Sequence, residues 1–203
     1  MAAFRAFPSQ VIRTRRLILD SFHAEDAPAL FAYRSDPEVC RYQSWEPASL
    51  DEVVAFLGDL AVVEFATPGT WFQIAIRPLE AARPGTLVGD IGVHFPADQR
   101  CQVEIGFTIS PAYQRRGFAT EAVTALLDHL FGPMNKHRVY ASVDPRNSPS
   151  IALLRRLGMR QEAHFQESLW FKGAWAGDLV FAILQSEWRA RSGAGHADGQ
   201  QRS

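Results

Sequence analysis

The chain of 203 residues has few cysteines and no long apolar run. Its two cysteines, Cys40 and Cys101, lie far apart and lack the spacing of metal ligands or of a disulfide framework. No stretch approaches the roughly 18 apolar residues that a membrane-spanning helix needs, and residues 1–8 lack the apolar run of a signal peptide. We therefore expect no metal site, no membrane segment and a cytoplasmic location.

The sequence also lacks an excess of charge of either sign. It has 21 basic and 22 acidic side chains, so nothing in the overall charge indicates a nucleic-acid partner. Hydrophobic residues make up 47% of the chain, which is enough to bury one ordinary core. We expect a loose N-terminal segment over residues 1–13, one folded domain over 14–189 and a disordered tail over 190–203, where little can be buried.

The periodicity of the apolar residues predicts a mixed α/β fold with one βαβ crossover. The predicted strands are 16–21, 71–76, 87–95, 102–109, 138–143, 162–172 and 178–184. The predicted helices are 24–33, one capped by Ser49 in a capping box with Glu52, 119–131 ended by Gly132, and one capped by Ser148 and ended by Gly158. A turn over 173–177 is expected between the last two strands.

The segment before the third predicted helix carries the clearest chemical signal. Gly117 follows Arg115 and Arg116 where the helix begins. A helix start offers unpaired N–H groups and the positive end of the helix dipole, and glycine allows close approach. The segment therefore suits a pyrophosphate, although a lone glycine is also compatible with a simple tight turn. Neither GxxxxGK[ST] nor GxGxxG is present here, which argues against a Walker loop and against a dinucleotide fingerprint.

Two segments in the right order resemble the GNAT acetyltransferases. Residues 114–119 (QRRGFA) resemble the Q/R-x-x-G-x-G/A acyl-CoA signature, and residues 147–159 (NSPSIALLRRLGM) resemble the family's second cofactor-binding segment. The strand at 15–19 and the turn at 175–178 also fit, so the resemblance covers roughly residues 14–188. It is greatest to the branch that contains the ribosomal-protein alanine N-acetyltransferases and several small-amine acetyltransferases. It implies the GNAT fold, with a mostly antiparallel mixed sheet of about seven strands and flanking helices, and an acetyl-CoA-dependent N-acetyltransferase.

The resemblance implies how acetyl-CoA would bind. The pantetheine arm would lie in a gap between strands 102–109 and 138–143, beside Gly106, which tolerates a departure from regular pairing. The residues that would hold the cofactor are Phe107, Thr108, Ile109, Gln114, Arg115, Arg116, Gly117, Phe118, Ala119, Thr120, Asn147 and Ser150. Arg155 or Arg156 would reach the adenosine phosphate, unless these arginines only form a solvated helix face.

An amine acceptor needs a catalytic base, because it arrives mostly protonated, with a pKa of about 10.4 for lysine and about 7.7–8.0 for an α-amine. Glu104 is the first candidate, since strand alternation projects it with Gly106, and it resembles the base of some GNAT enzymes. Its alternative is a surface glutamate. Glu167 is the competitor, in a region where the ribosomal branch places a carboxylate, and His164 is a third candidate.

The departing thiolate needs a proton or a hydrogen bond. Many family members have a tyrosine seven residues after the asparagine, where this chain has Leu154. Ser150 is the replacement that the ribosomal branch suggests, and its alternative is a helix-start serine that bonds the backbone. Tyr140 is a further substitute. A thiol with a pKa of about 8.5 can also leave without an acid.

The acceptor would be a protein N-terminus or a small-molecule amine. Five aromatic residues would line its cleft or pack in a core: Trp45, Trp71, Trp170, Phe171 and Trp175. An open sheet edge would permit a homodimer. The alternative function is a non-catalytic acyl-CoA-binding or regulatory module on the same fold. A different nucleotide ligand is disfavoured, because the Walker lysine is missing.

Overall fold

The structure is a computed structural model that describes residues 11–81 and 83–197, with side chains described up to residue 191. Its strands are β1 (Ile12–Arg13), β2 (Leu17–Asp20), β3 (Thr70–Pro78), β4 (Gly89–Phe95), β5 (Gln102–Ile109), β6 (Arg138–Val143), β7 (Arg160–Phe171) and β8 (Ala174–Leu184). Its α-helices are α1 (Ala27–Arg34), α2 (Pro37–Cys40), α3 (Leu50–Leu60), α4 (Phe118–Phe131), α5 (Ser148–Arg156) and α6 (Gln185–Ala197).

The strands form one sheet in the order β1-β2-β3-β4-β5-β6-β8-β7. Every neighbouring pair is antiparallel except β5 and β6, which are parallel and are connected through α4. The predicted mixed, mostly antiparallel sheet with a central βαβ crossover is therefore confirmed. The short β1 makes the observed sheet one strand larger than expected.

Alternation along the strands gives the sheet two covered faces. Ile74 and Ile76 of β3 join the core that α4 and α5 complete, whereas Ala75 between them packs with residues of α1, α2 and α3 on the opposite face. This two-sided cover buries both faces in the centre of the sheet. A ligand can reach the central strands only where the helices leave an opening.

The helix caps differ in part from the expected ones. The N–H of Glu52 donates to Ser49 Oγ at 3.2 Å, so the predicted cap of α3 is confirmed, but the Glu52 carboxylate accepts from Ala48 and Trp45 instead of from Ser49. The predicted cap of α5 at Ser148 is wrong. Asn147 is the N-cap, because the N–H of Ser150 donates to its Oδ1 at 3.3 Å.

The described elements reach into both segments that were expected to be loose. Residues 12–13 pair with β2, and α6 runs through residue 197, while the domain limits and the disordered tail stay predictions. Trp188 fixes this helix, since it is buried and its Nε1 donates to Asp128 at 2.8 Å. The rest of both predicted ends, residues 1–10 and 198–203, lies outside the described residues.

The hairpin of β7 and β8 is longer than predicted. Its turn consists of Lys172 and Gly173, with φ of 48° and 83°, so the expected turn over 173–177 is wrong. Two consecutive positive φ angles are typical of the tight turn whose twist matches antiparallel strands. Trp175 and Ala176 are consequently strand residues.

A buried charge cluster holds β2, β3 and the segment before α1 together. The Arg77 guanidinium donates to Asp20 at 2.8 Å and to both carboxylate oxygens of Asp26, at 2.7 and 2.6 Å. Burial alone would raise the pKa of Asp26, but hydrogen bonds from Arg77, His23 and Gly85 outweigh it and lower that pKa. No local pattern in the sequence indicates this cluster. None of the described helices is long and apolar enough to span a membrane.

Candidate active site

The two central parallel strands separate halfway along their length. β5 and β6 pair only from Gln102 opposite Arg138 to Glu104 opposite Tyr140, although β5 continues to Ile109 and β6 to Val143. On its other side β5 stays regularly paired with β4 up to Ile109. The edge of residues 105–109 that faces β6 therefore has no strand partner, which is the gap that the resemblance implied. Gly106 pairs regularly with Gly92, so the departure needs no bulge there.

A cavity of about 120 Å³ lies at this gap. Its lining includes residues 105–107 of β5, residues 141–143 of β6, and Asn147, Ser150 and Leu154. Asn147 and Ser150 thus lie beside the gap, as the resemblance implied. The Oδ1 of Asn147 already caps α5, so its NH2 is the side-chain group that remains for a ligand.

The start of α4 points unpaired amides outward. Gly117, with φ of 79°, is the exposed N-cap, and the first amide bonded inside the helix is that of Glu121, which donates to Gly117 O at 3.1 Å. The N–H groups of residues 118–120 therefore lie at the open helix end. Arg115 also has a positive φ of 58°. The side-chain Nε2 of Gln114 donates to Ile109 O at 3.0 Å, which connects this loop to the end of β5.

An ion pair that was not predicted from the sequence fixes this loop. Arg16 Nε lies 2.6 Å from Glu121 Oε2, and Arg16 Nη1 donates to Arg116 O at 2.9 Å. Thr14 Oγ1 donates to the other Glu121 oxygen at 2.7 Å. Burial raises the pKa of Glu121, but these hydrogen bonds outweigh it and the pKa is lowered. The sequence feature that could have indicated this ion pair is Glu121, a carboxylate in the first turn of the helix that follows Gly117.

The two arginines near the end of α5 have different surroundings. Arg156 Nη1 lies 3.5 Å from Thr120 Oγ1, in the first turn of α4. The Arg155 guanidinium instead lies 5.9 Å from the ring centre of Phe181. Of the two, Arg156 is the one that lies beside the start of α4.

A larger cavity, of about 690 Å³, adjoins the gap on the face covered by α1, α2 and α3. Four of the five aromatic residues singled out in the sequence line it: Trp45, Trp71, Trp170 and Phe171. Trp175 is not part of this lining and packs edge-on against Trp170, with ring centres 5.3 Å apart. The ionisable residues of the lining are Arg34, Tyr42, Asp90, Glu104, Asp144 and Asp178.

Glu104 lies at the point where the strands separate and faces this cavity. Tyr140 Oη is 3.4 Å from Glu104 Oε2, and His94 Nδ1 is 3.5 Å from the same oxygen. Burial and the adjacent Glu104 carboxylate raise the pKa of Tyr140 above its ordinary value. The phenol therefore remains a proton donor to the carboxylate at neutral pH.

A second buried charge network closes one wall of the cavity. Asp90 accepts hydrogen bonds from the Tyr33 hydroxyl at 2.6 Å and from the Arg34 guanidinium. Burial lowers the pKa of Arg34, but Asp90 and Tyr33 outweigh it and raise that pKa. The Arg34 guanidinium therefore stays charged. This network was not predicted, because an aspartate inside an apolar strand gives no indication of a partner in a distant helix.

The other two candidate bases lie elsewhere. Glu167 is exposed, has a φ of 48° and lies where the β7–β8 register shifts between Phe165 and Leu169. His164 is also exposed, and neither residue belongs to the lining of the two cavities. Of the three candidate bases, Glu104 is the one that lines a described cavity.

Comparisons with known proteins agree with this geometry. Residues 16–160 match the family described as acetyltransferase (GNAT) domain. The chain is 31% identical to the uncharacterized N-acetyltransferase YnaD of Bacillus subtilis over 181 residues, which cover 87% of this chain and 98% of that protein. It is 30% identical over 84 residues to the ribosomal protein uS5-alanine N-acetyltransferase of Escherichia coli, a partial match that covers 41% of this chain and 43% of that protein.

A solved structure shares the whole architecture. The acetyltransferase of the GNAT family from Bacillus anthracis is 26% identical, with a TM-score of 0.76, and the match covers 88% of this chain and all of that one. Together with the separated strands and the open start of α4, these matches identify the chain as an N-acetyltransferase of the GNAT family.

Proposed function

We propose that this enzyme transfers the acetyl group of acetyl-CoA to an amine by direct attack, with Glu104 as the base. The observation that carries the proposal is the position of Glu104. It is the last residue of β5 paired with β6, and it lines the cavity that adjoins the strand gap. A carboxylate at the meeting point of two openings can act on an amine in one and a thioester in the other.

The described residues fit acetyl-CoA, which supplies the thioester that the amine attacks. The amides at the start of α4 and the Arg115, Arg116 and Arg156 guanidiniums suit phosphates. Of the twelve residues implied for the cofactor, residues 107–109 form the unpaired edge of β5, 114–120 form the loop and first turn of α4, and Asn147 and Ser150 lie beside the gap. We propose that all of them bind it.

The proton balance assigns one role to Glu104 and one to a donor near the thiol. Glu104 takes one proton from the acceptor's ammonium group and passes it to solvent, which frees the lone pair. The new C–N bond replaces the C–S bond, and the thiolate takes a proton from the donor to form coenzyme A. The nitrogen loses a second proton, which restores the donor. We propose Ser150 as the donor, since it lines the gap and Leu154 cannot donate a proton.

The acceptor that we favour is the α-amine of a protein N-terminus, ahead of a small-molecule amine. The partial match to the uS5-alanine acetyltransferase supports this order. The aromatic wall of the larger cavity suits a cationic amine of either kind, through cation–π contacts. The lower pKa of an α-amine also leaves more of it deprotonated at neutral pH.

A matched pair of amide variants tests the base. Release of free thiol from acetyl-CoA is measured against a panel of peptides with different first residues and of small amines, for the wild type, Glu104→Gln and Glu167→Gln. We expect Glu104→Gln to lower kcat/KM for the amine by about 10²–10⁴-fold, the usual worth of a general base. Glu167→Gln should stay within about threefold of the wild type, because its side chain is exposed outside both cavities.

Binding of acetyl-CoA, measured by calorimetry, is the control. It should be the same in both variants, since neither side chain belongs to the helix start or the strand edge that would hold the cofactor. Full activity of Glu104→Gln, or a collapse confined to Glu167→Gln, would refute the assignment of the base.

A further inference from the structure

We infer that His94 is a positioning residue that orients the Glu104 carboxylate toward the acceptor amine. The inference rests on the proposed role of Glu104 and adds a second residue to that site. It starts from a row of four side chains on one face of the sheet. Trp71 lies opposite His94, His94 opposite Glu104, and Glu104 opposite Tyr140, across β3, β4, β5 and β6.

The two neighbours of Glu104 act on the same carboxylate oxygen. Tyr140 Oη and His94 Nδ1 lie 3.4 and 3.5 Å from Oε2. The Tyr140 hydroxyl donates to Oε2 from one flank and His94 Nδ1 approaches it from the other, which leaves Oε1 as the oxygen that can accept the proton of the acceptor. Tyr140 alone would leave the carboxylate held from the β6 side only.

The His94 ring is itself held in place. It stacks on Trp71 with ring centres 5.0 Å apart and an angle of 16° between the ring planes. Trp71 also lines the larger cavity, whereas His94 is not among its lining residues. An acceptor that enters this cavity would therefore contact the ring on which His94 stacks.

The approach of His94 Nδ1 to Glu104 falls short of a completed hydrogen bond. The Nδ1 atom is shielded from water and makes no completed hydrogen bond within the part of the chain that the structure describes. A buried polar atom without a partner is costly, so it needs an explanation. A short movement of His94 toward Oε2 would complete the bond when the acceptor enters, as catalytic hydrogen bonds often tighten only in the complex.

The experiment compares two replacements of His94 that both remove the ring stacked on Trp71. His94→Asn keeps a hydrogen-bond donor near the position of Nδ1, whereas His94→Leu has none. Each variant is made in the wild type and in Glu104→Gln, and kcat and KM are measured for the amine and for acetyl-CoA. We expect His94→Leu to lower kcat by about tenfold with an unchanged KM for acetyl-CoA, and His94→Asn to stay within about threefold.

The double variant separates positioning from a merely structural effect. If His94 acts through Glu104, His94→Leu should cause no further loss in the Glu104→Gln background. Equal losses in His94→Asn and His94→Leu, an undiminished loss in the Glu104→Gln background, or wild-type kcat in His94→Leu would overturn the inference. Glu104→Gln with full activity would instead overturn the proposed base itself, so the two failures are distinguishable.

Discussion

Two facing glycines line the larger cavity. Gly92 of β4 pairs with Gly106 of β5, and both line the cavity next to Glu104. The side chains of Trp71 and Gln73 already lie over Gly92, whereas a Cβ built on Gly106 meets nothing within 4 Å. The open space that an acceptor would enter is therefore above Gly106. This use of the glycine differs from the irregular pairing that the sequence suggested.

A pair of alanine variants tests this reading at the residue scale. Gly106→Ala places a methyl group in open space, so we expect an unchanged melting temperature and a several-fold higher KM for the acceptor. Gly89→Ala is the contrast, because its Cβ would lie 2.1 Å from Thr108 O, and it should lower the free energy of unfolding by about 1–3 kcal/mol. A destabilised Gly106→Ala protein with a normal KM would contradict the assignment.

Single residues differ in how far the sequence reveals them. The structural positions of Glu104 and Gly117 could be predicted, because strand alternation and a helix start are local patterns. Arg16, Arg34 and His94 could not, because each acquires its meaning from a partner on a distant element, respectively Glu121, Asp90 and Glu104. Strand pairing creates these contacts, and no local signal in the sequence specifies it.

At the scale of elements, the loop before α4 should determine the affinity for acetyl-CoA. Gly117 has a φ of 79°, where any other residue costs about 1–2 kcal/mol, and an added Cβ would lie 3.3 Å from Arg16 Nη2. We expect Gly117→Ala to raise the Kd for acetyl-CoA by about tenfold or more, as measured by calorimetry.

Gly85→Ala is the control for this variant. Gly85 has a similar φ of 83°, but its N–H donates to Asp26, which belongs to the cluster around Arg77. It should lose comparable stability and keep the wild-type Kd. A Gly117→Ala protein that binds acetyl-CoA normally would argue against pyrophosphate binding at this helix start.

The hairpin shows where reading elements from sequence fails. The segment 173–177 contains two glycines and was expected to be a turn, but only Gly173 takes a positive φ with Lys172, and Trp175 and Ala176 continue β8. Pairing along both strands outweighs the local preference of Gly177 for a turn. β7 is an edge strand of the sheet, and its Trp170 is exposed. Both features are compatible with a homodimer, which stays a prediction.

At the scale of the whole molecule, the Arg77–Asp26 pair connects stability to pH. Its members are 1% and 0% exposed, and removal of one partner of a buried pair typically costs about 3–5 kcal/mol. We expect Asp26→Asn to lower the free energy of unfolding at pH 7 by about that amount. Chemical denaturation followed by tryptophan fluorescence measures it.

The sign of the pH effect follows from the lowered pKa of Asp26. A carboxylate with a depressed pKa in the folded state contributes stability above its unfolded pKa of about 3.9, and the contribution is lost as the pH falls through the folded value. The difference between the wild type and Asp26→Asn should therefore narrow below about pH 4. A difference that is constant from pH 7 to pH 3 would show that the ion pair does not stabilise the fold. The pKa of the adjacent Asp20 is raised by burial. Its contribution to stability therefore changes with pH in the opposite direction, both in the wild type and in Asp26→Asn.

The order of strands and helices was the most predictable property of the molecule. The crossover from β5 through α4 to β6 follows from two alternating segments around one long amphipathic helix. The short β1 and the extension of α6 past residue 189 could not be predicted, because two residues give no periodicity and residues 190–197 have no apolar stripe. The two openings that meet at Glu104 are likewise a property of the assembled sheet.

The central claim is that acetyl-CoA lies in the gap between β5 and β6 with its reactive end beside Glu104. A crystal structure of the protein with coenzyme A tests this most directly. We predict that the diphosphate lies at the amides of residues 117–120. The sulfur atom should lie between residues 105–107 and 141–143, close enough to Glu104 for a single water molecule to bridge them. Coenzyme A bound away from this gap would contradict the claim. So would a sulfur atom that lies on the far side of β6 from Glu104.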